Sequence, residues 1–231
     1  LAEAYRRALA GDPVSAFGGI VAANRPLDLD TAREIGEHFY EIVIAPGYEE
    51  DALALLERKK NLRILDMGAM LSREEASRVK RLGFRRVEGG FLVQNPDLIV
   101  DEELNPRPVT ERKPGNEEMK DLLFGWRVVK HVKSNAIVVV RDSALLGMGA
   151  GQPNRVTSVH LALRAAGERS RGSVLASDAF FPFADGVELA AEGGVTAIIQ
   201  PGGSIRDKEV IEAANRCNIA MVFTGARHFR H

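Results

Sequence analysis

Beyond Gly115 the chain alternates between segments of helical period and short, unbroken apolar runs. Met119, Leu122, Leu123, Trp126, Val129 and Val132 recur at the three- and four-residue spacing of one helix face, and Ala136 to Val140 then reads as a strand with no polar side. Strand signals return at Leu145 to Met148, near Val174, at Val195 to Gln200 and at Ala220 to Phe223. Helical segments lie at Thr157 to Ala166 and from Gly186 and Ile205. Strands that are apolar on both sides and separated by helices imply an α/β fold, with an at least partly parallel sheet covered on both faces. In such a fold the loops at one sheet edge form the sites.

The first half has a similar order of elements. Leu1, Ala4, Ala8 and Leu9 mark a helix that stops before Gly11 and Pro13, and Gly19 to Ala23 reads as a strand. Thr31 and Glu34 fit a capping box ahead of Ile35, and Ile42 to Ala45 is a strand closed by Pro46-Gly47. A helix over Glu49 to Lys60, a strand over Leu62 to Leu65, a helix over Arg73 to Arg81 and a hairpin around Gly89-Gly90 follow. Asp101 to Gly115 is polar, carries Pro106, Pro108 and Pro114, and reads as a linker.

Charge and cysteine content narrow the function classes. Thirty-one basic against thirty-two acidic residues leave a net charge of -1, so no global field recruits nucleic acid or an anionic membrane, and an anionic ligand must be held by local charges. Cys217 is the only cysteine, which excludes an internal disulfide and a cysteine-rich zinc site and fits a reducing, cytoplasmic setting. No apolar run approaches the roughly 18 residues of a membrane helix. The opening LAEAYRRALAG has neither an initiator Met nor a signal-peptide layout, so a piece of a longer protein is expected.

Four segments could carry chemistry. GMGAGQPNR, Gly147 to Arg155, joins a strand to a helix and could offer backbone donors and a guanidinium to an anionic or planar ligand. It lacks the Gly-Lys-Ser/Thr of a P-loop and is not a clean GxGxxG, so a purely structural turn fits it as well. SDAFFPF, Ser177 to Phe183, sets three phenylalanines beside an acid where a strand should end; it reads as a hydrophobic staple or as a ligand wall, and Asp178 needs a partner if those rings bury it. QPGGS, Gln200 to Ser204, repeats the arrangement, and the tail ARHFRH gathers Arg227, His228, Arg230 and His231. Lys130-His131, on the long amphipathic helix, reads as a solvated or helix-end pair rather than an acid/base pair, and His38 and His160 read as ordinary helix residues.

Taken in order, DPVSAFGGIVA, IAPGYEEDAL, KSNAIVVV with GMGAGQPNRV, SDAFFPFADGV, IQPGGSIRD and RHFRH resemble the AICAR transformylase family, over essentially the whole chain. The resemblance implies two cytidine-deaminase-like three-layer α/β/α units: the remainder of a first, incomplete subdomain over 1–106 and a complete second one over 107–231. It implies transfer of a formyl group from 10-formyltetrahydrofolate, as co-substrate, to the 5-amino group of AICAR in purine biosynthesis. It also implies a homodimer with sites at the subunit interface, no zinc, and neither nucleic acid nor membrane as partner. The PCxxC segment of zinc deaminases is absent from this sequence.

Residue by residue, the resemblance sets Gly18 and Glu41 in the AICAR pocket, Glu41 as a ribose acceptor. Asn135 and Arg155 hold the carboxamide side, Phe180 lies against the base and Arg227 takes the phosphate. His231 stands near the reacting groups and, with Asn135, is assigned to catalysis; Val14, Pro182 and Ser204 fall where the folate is expected. Ser134 and Asp178 match part of a structural alkali-metal site, potassium being the expected ion. The family's catalytic Lys-His pair belongs to a segment upstream of Leu1, so Lys130-His131 does not inherit its role, and the fragment alone is expected to bind AICAR weakly and to have little or no turnover. The alternative is a non-catalytic nucleotide-binding or dimerisation module on the same scaffold.

Overall fold

The computed structural model describes residues 1–69, 82–97 and 104–230. The chain separates into two compact units, Leu1–Leu98 and Ile99–His231.

In the first unit, strands β1 (Gly19–Ala22), β2 (Tyr40–Ala45) and β3 (Arg63–Asp66) form a parallel sheet in that order. It is accompanied by helices α1 (Ala2–Leu9), α2 (Leu29–Gly36) and α3 (Glu50–Leu56). Their apolar faces meet in a core of Leu27, Ile35, Val43 and Leu56, at whose border the Tyr5 and Tyr40 hydroxyls lie 2.8 Å apart. Desolvation, with the Tyr40 contact second, pushes the Tyr5 phenol well above its ordinary value. The capping reading of α2 is corrected: Asp28 is the N-cap and accepts from the Thr31 amide at 2.8 Å, so Thr31 and Glu34 lie inside the helix. An N-cap at 28 serves the amide three residues on, which is the geometry the box reading had assigned to Thr31. His38 falls in the turn after α2 and packs its ring 6.2 Å from that of Tyr40. The hairpin is present as β4 (Gly83–Val87) and β5 (Gly90–Gln94), turning at Glu88-Gly89 with Gly89 at φ 83°. The helix expected over Arg73 to Arg81 lies outside the described residues.

The second unit is a six-stranded mixed sheet of β6 (Arg107–Pro108), β7 (Ile137–Arg141), β8 (Ala144–Gly149), β9 (Val174–Ser177), β10 (Ala197–Gln200) and β11 (Ala220–Phe223), in the order β6-β11-β10-β9-β7-β8. β9, β10 and β11 are parallel, whereas β7 runs antiparallel to both β8 and β9. Helix α4 (Asn116–Val129) covers one face, packing Leu122, Trp126 and Val129 on Val138, Val140, Ala176, Ile199 and Val222. Helices α5 (Arg155–Ala166), α6 (Asp185–Glu192) and α7 (Asp207–Arg216) cover the other, meeting Ile137, Val139, Leu175, Ile198 and Met221. Alternate residues of β7 therefore feed opposite cores, which is why the strand is apolar at each of its four buried positions, Ile137 to Val140. Each full burial is worth about 1.5–3 kcal/mol. The result is a three-layer α/β/α sandwich.

Local chemistry fixes the joints. β7 and β8 meet through Asp142-Ser143, both at φ 55°, a two-residue turn of the primed kind that hairpins favour. The buried Asp121 carboxylate on α4 accepts from both turn amides, at 2.8 and 2.7 Å. The Asp101 to Gly115 linker is corrected over its second half. Arg107-Pro108 pairs with β11 as an edge strand, where proline is tolerated, and the Val109 amide donates to the Met221 carbonyl at 2.9 Å. Arg112 then makes a fork to Glu118, at 2.9 and 2.7 Å, and reaches the Asn218 and Thr196 carbonyls. With Arg112 first among its causes, the Glu118 carboxyl is held down at about 2. α4 itself ends at Val129, so Lys130 is its C-cap and His131 lies in the following turn rather than on the helix face. Among the described residues no helix is long and apolar enough to cross a membrane.

Candidate functional site

The C-terminal ends of β9, β10 and β11 point the same way, so the loops that leave them gather at one edge of the sheet. Because β7 runs antiparallel to β9, its beginning at Asn135-Ala136 comes to that edge as well. The N-terminus of α5, capped by Asn154 accepting from the Val156 amide at 2.9 Å, completes the enclosure. A cleft of about 450 Å³ opens there. Asn135, Arg155, Phe180, Pro182, Arg227 and Phe229 are among the residues that line it.

Beneath the cleft a buried polar network ties four segments together. Arg155 Nη1 donates to Ser177 Oγ at 2.8 Å and to Asp178 Oδ1 at 2.5 Å, and Nη2 donates to Asn135 Oδ1 at 2.8 Å. Asn135 Nδ2 in turn donates to the Gln152 and Pro153 carbonyls, at 2.8 and 3.2 Å, while Ser158 Oγ donates to the Asn135 carbonyl at 2.8 Å. Asp178 is wholly buried, and its second oxygen accepts from Ser134 Oγ at 2.5 Å. A buried carboxylate needs such partners, because desolvating it alone would cost several kcal/mol. Of the five donors of the guanidinium the network uses three, and among the described residues the Arg155 Nε and one Nη2 hydrogen take no part in it.

The walls are aromatic. Phe180, Phe181, Phe183 and Phe229 surround the polar floor, and Phe181 is anchored by its amide donating to the buried Gln200 Oε1 at 3.0 Å. Arg227 extends its guanidinium 4.7 Å from the Phe229 ring, and Arg206 stands 4.8 Å over Phe183 at the rim. The arrangement suits a planar, hydrogen-bonding ring with an anionic appendage: rings to stack on, an amide and guanidinium on the floor, a second guanidinium at the mouth.

Of the residues singled out in the sequence, Asn135, Arg155, Phe180, Pro182 and Arg227 meet in this cleft, and Ser134 and Asp178 are hydrogen-bonded below it. Ser204 is not among its lining residues; it sits on the loop after β10, where its Oγ accepts from the Arg206 amide at 3.1 Å. Gly18, Glu41 and Val14 belong to the first unit. There Gly18 has φ 71° and packs near Phe39, Glu41 pairs with Arg63 at 2.7 Å, and Val14 is exposed. His231 lies outside the described residues. Ser177, Ser158 and Gln200 belong to the site without having been picked out as ligands or supports. Ser158 was accessible from spacing, being one turn after Arg155 on the same helix face. Gln200 was not, since a glutamine at a strand end gives no sign of which loop amide it will hold.

Comparison with known proteins agrees with the resemblance read from the motifs. The family described as AICARFT/IMPCHase bienzyme matches residues 1–165. The bifunctional purine biosynthesis protein of Dictyostelium discoideum is 52% identical over all of this chain and 43% of its own length. Those of Anoxybacillus flavithermus and Sorangium cellulosum are 53% and 56% identical over all of this chain and 44% of their own lengths. The chain thus spans less than half the length of the curated relatives it matches. With a family match that runs from α1 into α5, and relatives 52% and 56% identical over all of this chain, the chain belongs to the AICARFT/IMPCHase bienzyme family.

Proposed function

We propose that the chain serves purine biosynthesis as part of a formyltransferase that moves a formyl group from 10-formyltetrahydrofolate to the 5-amino group of AICAR. The observation that supports the reading is the convergence, in one aromatic cleft, of Asn135, Arg155, Phe180 and Arg227. In this reading the imidazole carboxamide stacks against Phe180, the free Arg155 hydrogens and the remaining Asn135 oxygen lone pair meet the carboxamide, and Arg227 takes the phosphate. The folate lies toward Pro182 and Ser204. Ser134 and Asp178, two hard oxygen donors, would hold the alkali cation; its contribution is structural charge, since Asp178 is already matched by Arg155. The dimer carries the pockets at its interface.

The reaction joins the amine nitrogen to the formyl carbon, passes through a tetrahedral oxyanion, and breaks the bond to the folate N10. One proton leaves the amine and one arrives at N10. An arylamine beside a carboxamide is a weak nucleophile, so orientation, proton removal and oxyanion stabilisation are all required. Among the described residues lining the cleft the ionisable ones are Arg155, Asp185 and Arg227. In this reading the two guanidiniums orient and neutralise the ligand, and proton transfer is assigned to His231 and to the Lys-His pair of the family's upstream segment.

Formyl transfer followed by tetrahydrofolate absorbance tests this, comparing the 231-residue chain with the longer protein and with the longer protein carrying His131→Ala. In the proposed reading the acid/base pair belongs to the family's upstream segment, so the chain alone should turn over about 10²- to 10⁴-fold more slowly, and His131→Ala should leave the longer protein's rate in place. Full turnover by the chain, lost on removing His131, overturns the reading.

A further inference from the structure

The segment that leaves β11 alternates: Arg227 and Phe229 are exposed and line the cleft, whereas His228 between them is only 2% exposed. Its ring lies 4.4 Å, centroid to centroid, from that of Trp126, which reaches through from α4 and is also 2% exposed. Two backbone–backbone bonds and one to a side chain tie the segment down: His228 N donates to the Asp178 carbonyl at 2.9 Å, Ser134 N to the Arg230 carbonyl at 2.9 Å, and Arg230 N to Ser134 Oγ at 3.1 Å. Backbone bonds do not by themselves choose a face. Where residues alternate between two sides, a slip of one residue exchanges them, and a side chain fitted to the buried side opposes the slip.

We infer that the Trp126–His228 ring contact sets Arg227 and Phe229 toward the cleft, which makes His228 and Trp126 positioning residues for the ligand's anionic end; this rests on the function proposed above. With His228 buried against the indole, Arg227 is turned out and held over the Phe229 ring. Loss of the imidazole lets the segment rotate, and the guanidinium leaves its place at the mouth. The Trp126 Nε1 has no hydrogen-bond partner among the described residues, so the indole acts here as a flat surface rather than as a donor.

Calorimetry with the 231-residue chain separates this from general damage, with AICAR and its riboside lacking the phosphate as the two probes. An aromatic contact of this kind is worth roughly three- to tenfold in an equilibrium, so His228→Ala should weaken AICAR by about that factor and weaken the riboside, which lacks the phosphate that Arg227 meets, by less. His228→Phe, which keeps a ring against the indole, should bind AICAR more tightly than His228→Ala, and Trp126→Phe, which keeps a ring opposite His228, should hold near wild-type affinity. Adding His228→Ala to Arg227→Ala should cost nothing more, because the guanidinium being positioned is already gone. Wild-type AICAR affinity in His228→Ala, or equal loss for nucleotide and riboside, overturns the inference. If the unsubstituted chain fails to bind AICAR, the proposed function falls instead. Hydrogen exchange at the Arg230 amide then decides the positioning: faster exchange in His228→Ala supports it, and unchanged protection overturns it.

Discussion

Arg155 and Asp178 form an ion pair at 2.5 Å in which the carboxylate side chain is 1% and the guanidinium 7% exposed. The pair joins the start of α5 to the end of β9, so one contact serves both the floor of the cleft and the packing of the second unit. Asp178→Ala should cost about 3–5 kcal/mol, because it strands a buried guanidinium. Urea unfolding measures this. Removing both charges in Arg155→Met/Asp178→Ala should cost less than the sum of the two single changes, since neither charge is then left unpaired.

The glycines of GMGAGQPNR are mostly not a phosphate turn. A Cβ on Gly147 would lie 2.3 Å from the Ala162 carbonyl oxygen, and one on Gly149 2.0 Å from that of Ser158. Both sit in β8, where they let α5 approach the sheet; Gly151, at φ 67°, makes the turn itself. Gly149→Ala should therefore force α5 outward, costing about 1–3 kcal/mol or more through overpacking and weakening AICAR binding along with it. A stable variant with wild-type affinity would contradict this.

Glu118 makes a pH-dependent contribution with a definite sign. Its folded carboxyl lies at about 2 against an ordinary 4.5, so the unfolded chain binds the proton first. The stabilisation is complete above about 4.5 and is lost as pH falls toward 2. Wild type and Glu118→Gln should thus differ most in unfolding free energy above that window and converge within it. A constant difference from pH 6 to pH 2 would contradict the assignment to Arg112 and Glu118.

Asp121→Ala removes the acceptor of both Asp142 and Ser143 amides. About 1–3 kcal/mol should be lost, with the β7–β8 turn amides exchanging faster than the rest of the sheet. Uniform exchange across the sheet would place the effect elsewhere.

The layers were legible because burial on both faces leaves no choice: the apolar run from Ala136 to Val140 and the helical period of Met119 to Val129 admit little else. The N-cap of α2 was misread because Asp28 and Thr31 are both capping types three residues apart, and only backbone geometry separates them. The attachment of 107–112 was hidden because its polar groups are satisfied by carbonyls at Thr196 and Asn218, far along the chain. Asn135 and Arg155 entered through family resemblance; nothing in their spacing tells that one guanidinium would hold Asn135, Ser177 and Asp178 together.

The central claim is that the cleft floored by Asn135 and Arg155 takes the carboxamide of AICAR. Titration calorimetry of the 231-residue chain with AICAR and with an analogue lacking only the carboxamide tests it directly. Unpaired buried donors cost about 1–3 kcal/mol, so the analogue should bind at least about fivefold more weakly. Equal affinities for the two ligands would contradict it.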